Sequence, residues 1–560
     1  NLNINGTPFG GSFIIESLTD NMDSPTNGIL ATTNSWISST GTGNISLPAS
    51  SISIITISIP TITWSNQSWS NTTGPTQYDN AVIQDNLLLT QNLNVNNLTV
   101  NSNYAITVNP NITLNIFGNL LNNGSIVFKS NALGSGNFGS FNGTISGSGL
   151  FTVERFIPSG KRAFRLLSPA VTTTNFISNN WQQQTHITGG ASGGFDVTET
   201  NNPSMFTYNN NAPSGSGWTA IANTNATNLT AGVGYRMLVR GDRTATNITS
   251  ATTDNMNTAI TLSATGTLRT GTVTLNSSST PAINNTSNTT TADFSLVGNP
   301  YQSAVDWNAV TKSGIDATYW AWDPNMGTST QRGRYVAFNG TINDNVSSQV
   351  GQYIQPGQAF FVKNSVSGTA GTLTFQEAHK AATSASVFRM ANQNATSAAT
   401  TLSVQLYEPN ELAIGGYPID AMKAIFNVDY QNDLGTGDAT KLESAGENIA
   451  WFRNNTKLAI DAAAPLTATD ELLVKTLRLG ANKNYVFKIQ TTSFDSNLTP
   501  YLMDNFLNTQ TEISTSEVYL ANFSTTSNVA SYGEDRFKIV FQNSALSTDS
   551  FVKNIKLYPN

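Results

Sequence analysis

Four short segments between residues 97 and 128 repeat one pattern, with apolar residues at alternate positions and Asn or Gly at the ends. They cover residues 97–101, 105–109, 113–119 and 124–128. Alternation is typical of strands, and Asn and Gly tolerate the left-handed backbone that tight corners require. The repeats therefore predict a small β-solenoid over residues 61–150, with a β-meander as the alternative. The Asn rows either stack as ladders between turns or only form the corners.

The composition favours a folded β protein over a disordered chain. Charged residues make up 11% of the 560 residues, and uncharged Asn, Thr, Ser and Gly take their place. The hydrophobic share of 38% is enough to bury cores. The length is too great for one core, so we expect about three to five domains.

Three classes of site or partner are disfavoured by the same numbers. With 0 cysteines, the chain has neither disulfides nor thiolate metal sites. A net charge of −7 and the absence of a long run of Lys and Arg argue against a nucleic-acid partner. No apolar run reaches the roughly 18 residues that a membrane span needs.

We predict an all-β protein of tandem antiparallel β-sandwich domains with a small β-solenoid-like unit near the N-terminus. The strongest core elements lie at residues 294–307, 319–324 and 354–362, where apolar strands follow or precede Pro-Gly or Gly-Asn-Pro turns. The predicted units are 1–60, a partial β-sandwich that ends an upstream domain; 61–150, the solenoid-like repeats; 151–385, a central β-sandwich; 386–545, a C-terminal β-sandwich; and 546–560, a linker.

The last residues of the chain, Leu557, Tyr558, Pro559 and Asn560, resemble the start of the C-terminal sorting domain of type IX secretion cargo. Residues 296–307, 358–362 and 373–380 look like a β-domain common in such cargo. Residues 441–442, 502–505 and 536–541 look like the sandwich that precedes the sorting signal. The resemblance covers residues 150–560.

This resemblance implies export across the outer membrane, followed by surface attachment or release. The implied partners are the type IX translocon and its surface-attachment machinery, and the implied location is extracellular. It implies no reaction. The chain has 2 His, His186 and His379, far apart in sequence, and its acids form no recognisable pair. We therefore predict no catalytic residues in this chain.

The loop at residues 429–438 is a candidate Ca²⁺ site. Asp429, Asp433 and Asp438 offer three carboxylates, and two Gly lie among them. Calcium takes several oxygen ligands from flexible loops, but the spacing is not that of an EF-hand. A plain Asx-turn loop is the alternative.

Tyr319, Trp320 and Trp322 are a candidate ligand-binding platform, because sugars stack on aromatic rings. Alternation along a strand places Trp320 and Trp322 on one face, and this face is either a binding surface or the core. A second surface candidate is the basic cluster of Arg155, Lys161, Arg162 and Arg165. We expect these cations on a solvated sheet face, with an anion site as the alternative.

The first functional hypothesis is a non-catalytic surface or secreted protein of the type IX pathway, acting as an adhesin or stalk that binds polysaccharide or surface glycans. The alternative is the accessory C-terminal region of a larger secreted polysaccharide-degrading enzyme. A third hypothesis is a subunit of a gliding or surface-layer filament.

Overall fold

The structure is a computed structural model that describes residues 59–212, 217–244, 248, 256–285, 293–328, 331–381 and 399–544, and backbone strands before them. It is 46% strand and 4% helix, which confirms the all-β class. Within the described residues, no helix combines the length and hydropathy that a membrane crossing requires. The first five strands are β1 Leu2–Asn3, β2 Gly10–Leu18, β3 Ile29–Ile37, β4 Asn44–Ile45 and β5 Ile52–Ser58. The strands β3, β2 and β5 form one antiparallel sheet.

The next fifteen strands are short and follow one another closely. They are β6 Thr61–Ser65, β7 Ser68–Trp69, β8 Asn80–Ile83, β9 Leu87–Leu89, β10 Leu93–Val95, β11 Leu98–Val100, β12 Ala105–Val108, β13 Thr113–Ile116, β14 Leu120–Asn122, β15 Ser125–Phe128, β16 Ser130–Asn131, β17 Gly134–Ser135, β18 Asn137–Phe141, β19 Ile145–Ser146 and β20 Leu150–Ile157.

These strands form a β-solenoid with three faces, which confirms the predicted repeat. Strands of successive turns pair in parallel: β11 lies between β8 and β14, β12 lies between β9 and β15, and β13 lies between β10 and β18. A β-meander would pair neighbouring strands antiparallel, so that alternative is excluded. Alternate apolar residues point inward and are buried, such as Val100, Ile106 and Leu114 at 0% exposure.

Asparagine side chains connect the turns of the solenoid. Asn97 donates from its amide to Oδ1 of Asn80 at 2.8 Å and accepts from the Asn119 backbone N–H at 2.7 Å. Oδ1 of Asn119 in turn accepts from the Thr144 backbone N–H at 2.9 Å. A second step joins Asn115 to Asn94 at 2.8 Å. The Asn rows therefore form ladders between turns. They are also the corner residues, and their side chains satisfy backbone groups there.

The solenoid continues into the central region without a break in its core. Strand β20 pairs in parallel with β15, the last solenoid strand on its face. The same strand pairs antiparallel with a central strand, β28, residues Ile260–Leu268. One hydrophobic cluster runs from Ala81 to Leu268. The predicted boundary at residue 150 therefore does not separate two cores.

The central region contains many short sheets. Its strands are β21 Gly160–Lys161, β22 Phe164–Leu167, β23 Val171–Thr173, β24 Met205–Tyr208, β25 Trp218–Ala220, β26 Tyr235–Leu238, β27 Met256–Asn257, β28, β29 Val273–Leu275, β30 Phe294–Gly298, β31 Val305–Asp306, β32 Thr311–Ser313, β33 Ile315–Gly327, β34 Arg332–Phe338, β35 Tyr353–Ile354, β36 Ala359–Asn364 and β37 Thr372–Phe375. Its 3-10 helices are Ile177–Asn179, Trp181–Gln183 and Glu377–His379.

The C-terminal region is built around one large sheet. Its elements are β38 Thr400–Tyr407, an α-helix at Pro409–Ala413, β39 Asp420–Phe426, β40 Ala439–Thr440, β41 Asn448–Arg453, β42 Thr456–Ala463, β43 Glu471–Leu477, β44 Asn484–Thr492, β45 Leu498–Asp504, β46 Thr509–Glu512, β47 Tyr519–Ser524, a 3-10 helix at Val529–Tyr532, and β48 Phe537–Asn543. The strand order is β46-β45-β48-β43-β41-β42-β39-β38-β44-β47, with β40 beside β42.

This sheet curls so that strands from its two ends share one core. Phe523 lies on β47, at one end of the order, and Phe537 lies on β48, near the other end. Their rings are 4.8 Å apart between centroids. This arrangement buries a cluster that includes Trp451 and Ile539 at 0% exposure.

A further hydrophobic cluster joins the central and C-terminal regions. It combines Phe294 and Trp320 of the central region with Ile425, Ala459 and Ile460 of the C-terminal sheet. Side-chain packing therefore connects these two regions in addition to the chain itself.

The basic cluster is not a solvated face. Arg155 is 8% exposed and donates to the Pro356 carbonyl at 2.7 Å. Arg165 is 6% exposed and donates to the Ala163 carbonyl at 3.0 Å. The prediction is wrong for these two residues because packing against the central strands covers the sheet face on which they lie.

Candidate functional site

A groove of about 260 Å³ lies at one end of the C-terminal sheet. Its wall is mixed, with seven apolar residues and the polar residues Asn427, Asp495 and Thr400. The lining residues are Ala399, Thr400, Phe426, Asn427, Val428, Pro465, Leu466, Phe494, Asp495 and Leu498. The volume lies just below the usual range of small-molecule pockets, about 300–1,000 Å³. It is large enough for a small ring or a short extended chain.

The groove is assembled from strand ends and the loops that follow them. Phe426 ends β39, Thr400 begins β38 and Leu498 begins β45. Phe494 is half-buried, and its ring is stacked against Phe541 at 6.0 Å between centroids and 25° between planes. This stacking holds the Phe494 ring in one orientation at the wall of the groove.

Two polar side chains of the groove and one backbone N–H group make hydrogen bonds within the protein. Oδ1 of Asp495 accepts from the Asn497 backbone N–H at 2.9 Å, and the Thr400 hydroxyl donates to the Ser493 carbonyl at 2.8 Å. The Asn427 backbone N–H donates to the Ala463 carbonyl at 3.1 Å. The side chain of Asn427 is half-buried at the wall. The site therefore combines one aromatic ring with amide, hydroxyl and carboxylate groups.

The predicted calcium loop lies beside this groove, but its carboxylates do not converge. Asp438 pairs with Arg453 at 2.8 Å and accepts from the backbone N–H groups of Gly435 and Ala462, each at 2.8 Å. Asp429 and Asp433 are exposed on the loop. In the described part of the chain, no group of three or more His, Cys, Asp and Glu side chains is placed to hold a metal ion. Asp438 is therefore committed to Arg453 and to two backbone N–H groups.

The predicted aromatic platform is part of the core. Tyr319 and Trp320 are each 1% exposed and point to opposite faces of β33. Trp322 is half-buried on the same face as Trp320, where it donates from Nε1 to the Phe164 carbonyl at 2.9 Å. A ring that stacks on a sugar must present a free face, so Tyr319 and Trp320 cannot serve as the platform.

The two histidines lie in separate settings. His186 Nδ1 lies 3.4 Å from Asp196, which also pairs with Arg243 at 2.6 Å. His379 Nδ1 accepts from the Gln376 backbone N–H at 3.1 Å. The sorting-signal residues Leu557, Tyr558, Pro559 and Asn560 lie outside the described residues.

Sequence reasoning missed the groove, since Phe494 and Asn427 stand in loops with no periodic pattern. The available sequence signal was the apolar residue Val428, which lies beside Asn427 and directly precedes the predicted calcium loop. In the structure, Val428 is 80% exposed. Contiguous exposed apolar patches mark binding surfaces, whereas a single exposed apolar residue is normal, so this residue alone did not identify the groove.

Comparison with known proteins identifies a family for this chain. No curated protein and no solved structure matches the chain. The family model described as a domain of unknown function, DUF8693, matches residues 58–541. Because this match spans most of the sequence, from the first solenoid strands to β48, the chain belongs to the DUF8693 family.

Proposed function

We propose that this chain is a non-catalytic protein of the cell exterior that acts as an adhesin or stalk and is exported by the type IX pathway. The observation that carries the proposal is the continuity of its hydrophobic packing. One cluster joins the solenoid to the central region, and another joins the central region to the C-terminal sheet. Units that share a hydrophobic core do not hinge freely against each other, and a stalk requires this rigidity.

The groove is the proposed binding end of this stalk, with a short neutral glycan as its ligand. The Phe494 ring offers an apolar surface, and the Asn427 amide can both donate and accept hydrogen bonds. Sugars present both an apolar C–H face and hydroxyl groups, so this pairing of groups suits them. The lining contains one charged side chain, Asp495, which favours an uncharged sugar over an anionic one.

A glycan array on the purified chain tests the ligand, with and without added Ca²⁺. The variants are Phe494→Ala and Asn427→Ala, and the matched control is Thr511→Ala on the exposed edge strand β46. We expect specific glycan binding that both groove variants lose and the control keeps. Binding that survives both groove variants, or no binding by the folded chain, would overturn the assignment of this groove.

Surface labelling tests the location and the export route independently of the ligand. Intact cells that produce the protein are treated with a protease, with the type IX translocon either intact or disabled. We expect cleavage of the protein only when the translocon is intact. Protection in both strains would contradict the export proposal even if glycan binding were found.

The accessory region of a larger polysaccharide-degrading enzyme remains the alternative, because the same groove suits it. The discriminating measurement is polysaccharide hydrolysis by the full natural gene product. Hydrolysis that weakens on an insoluble substrate when Phe494 is replaced would favour the accessory role over the adhesin.

A further inference from the structure

A lysine and two aspartates are fully buried together where the central region meets the C-terminal sheet. The side chains of Lys441, Asp420 and Asp344 are 1%, 1% and 2% exposed. Asp420 begins β39, and Lys441 directly follows β40. Asp344 lies in the central region, in the loop after β34. Burial of three ionisable groups is costly, so their close placement calls for a role.

The amine of Lys441 is positioned against the carboxyl group of Asp420. Lys441 Nζ lies 2.8 Å from Oδ1 of Asp420 and donates to the Ala421 carbonyl at 2.9 Å. The other carboxyl oxygen, Oδ2, accepts from the Ile449 backbone N–H at 2.8 Å. An N–H group in that position stabilises negative charge that develops on Oδ2 when a nucleophile adds to Cγ.

Asp344 supplies a second carboxyl group beside the amine. Its Oδ2 lies 4.0 Å from Lys441 Nζ, and its Oδ1 accepts from the Ala337 backbone N–H at 3.2 Å. Burial raises the pKa of Asp344 to about 7, against the opposing charge of Lys441. Burial lowers the pKa of the neighbouring Lys423 to about 8. A carboxyl group that titrates near neutral pH is suited to take up and return protons.

We propose that Lys441 and Asp420 join in an intramolecular isopeptide bond, with Asp344 as the proton carrier. Asp344 accepts a proton from the Lys441 ammonium, and the free amine adds to Cγ of Asp420. A C–N bond forms and one C–O bond breaks. The two protons that nitrogen loses leave with that oxygen as water, so the step needs neither an oxidant nor a cofactor.

This cross-link goes beyond the proposed function and does not depend on it. It ties the start of β39 to the end of β40, two strands that both pair with β42. The bond closes a loop of the chain and limits the unfolded state, as a disulfide does in proteins that contain cysteine. This chain has 0 cysteines and cannot form a disulfide, whereas an amide cross-link between Lys and Asp needs no cysteine.

Intact mass spectrometry of the denatured full chain tests the bond directly. We expect the mass to fall below the sequence mass by one water. Lys441→Arg, Asp420→Ala and Asp344→Asn are each expected to restore the full mass, and Asp344→Asn is the mildest change in shape. If a variant fails to fold, the wild-type mass still decides the question.

Tryptic digestion assigns the two partners. We expect no cleavage after Lys441 and a linked pair of peptides, residues 390–423 and 424–453. A link to peptide 335–363 would assign Asp344 as the acceptor and overturn the assignment of Asp420. A link through Lys423 would overturn the assignment of Lys441.

Lys380 provides a matched internal control. Its Nζ lies 2.6 Å from Glu377, and the two side chains are 4% and 15% exposed, but among the described residues no second carboxylate forms an ion pair with it. Trypsin should cleave after Lys380 normally in the same sample. A full wild-type mass with complete cleavage after Lys441 would show an ordinary buried ion pair and refute the proposal.

Discussion

Gln302 donates from its side-chain amide to the backbone carbonyl of Gly136 at 2.9 Å, across 166 positions of sequence. The backbone carbonyl of Gln302 accepts in return from the backbone N–H of Phe138 at 2.7 Å. Strand β18, which carries Phe138, is an edge strand of the solenoid. The turn that carries Gln302 therefore caps this edge and satisfies backbone groups that would otherwise lack a strand partner.

We expect Gln302→Ala to weaken this joint. Gln302 is 3% exposed, so its loss leaves the buried Gly136 carbonyl without a donor. The expected decrease in the free energy of unfolding is about 1–3 kcal/mol. Chemical denaturation measures it, with Gln510→Ala on the exposed strand β46 as the control. An equal effect of the two substitutions would contradict the capping role.

Trp320→Ala is expected to destabilise the fold rather than to remove a ligand contact. The ring meets Phe294 at 4.8 Å between centroids, and Nε1 donates to the Thr440 carbonyl at 2.9 Å. Truncating a buried Trp costs about 3–5 kcal/mol. The matched control is Leu507→Ala, at a residue that is 57% exposed. A stable Trp320→Ala protein that has lost glycan binding would restore the aromatic-platform hypothesis.

Arg536→Met is expected to be strongly destabilising. The Arg536 guanidinium contacts both carboxylate oxygens of Asp504, at 2.7 Å for Nη2 to Oδ2 and 3.0 Å for Nε to Oδ1. The side chains are 1% and 10% exposed. Removing one partner of a buried pair leaves the other charge uncompensated and costs about 3–5 kcal/mol.

The control for Arg536 is Lys538→Met, two residues along the same segment. Lys538 pairs with Glu471 at 2.7 Å, but the side chains are 30% and 49% exposed. Exposed pairs contribute about 0–1 kcal/mol, so thermal and chemical unfolding should change little. A loss for Lys538→Met as large as that for Arg536→Met would show that burial of the pair is not the cause.

Asp461 is expected to make stability depend on pH. Burial raises its pKa to about 6 from an ordinary value of 3.8, and Asp438 adds to the rise although Arg453 opposes it. Between about pH 4 and 6 the folded protein therefore keeps a proton on Asp461 that the unfolded chain has lost. The contribution of this proton to the free energy of unfolding is full below about pH 4 and is lost as pH rises through 6.

Asp461→Asn should remove this dependence. Relative to the variant, the wild-type protein is expected to lose on the order of 2 kcal/mol of unfolding free energy between pH 4 and 7. Denaturant titrations at several pH values measure the difference. Asp429→Asn, at an exposed carboxylate, is the control. Parallel pH profiles for the wild type and Asp461→Asn would contradict the prediction.

The sequence was most informative where its pattern repeats. Alternating apolar residues between 97 and 128 correctly predicted the solenoid, because each inward position of a short rung must be apolar regardless of what lies elsewhere. The same alternation placed Trp320 and Trp322 on one face. It also marked the strands around residues 294–307 and 354–362, which pair with each other as β30 with β36.

Sequence determined the all-β class, the solenoid and the apolar faces of its strands, since these follow from local periodicity and backbone preference. Only the tertiary structure decided which face meets solvent. It buried Trp320 against the C-terminal sheet, covered Arg155 and Arg165, and committed Asp438 to Arg453. It also brought Lys441 to Asp420 and Asp344. Exposure and charge pairing depend on residues that are distant in sequence, and a local pattern carries no information about them.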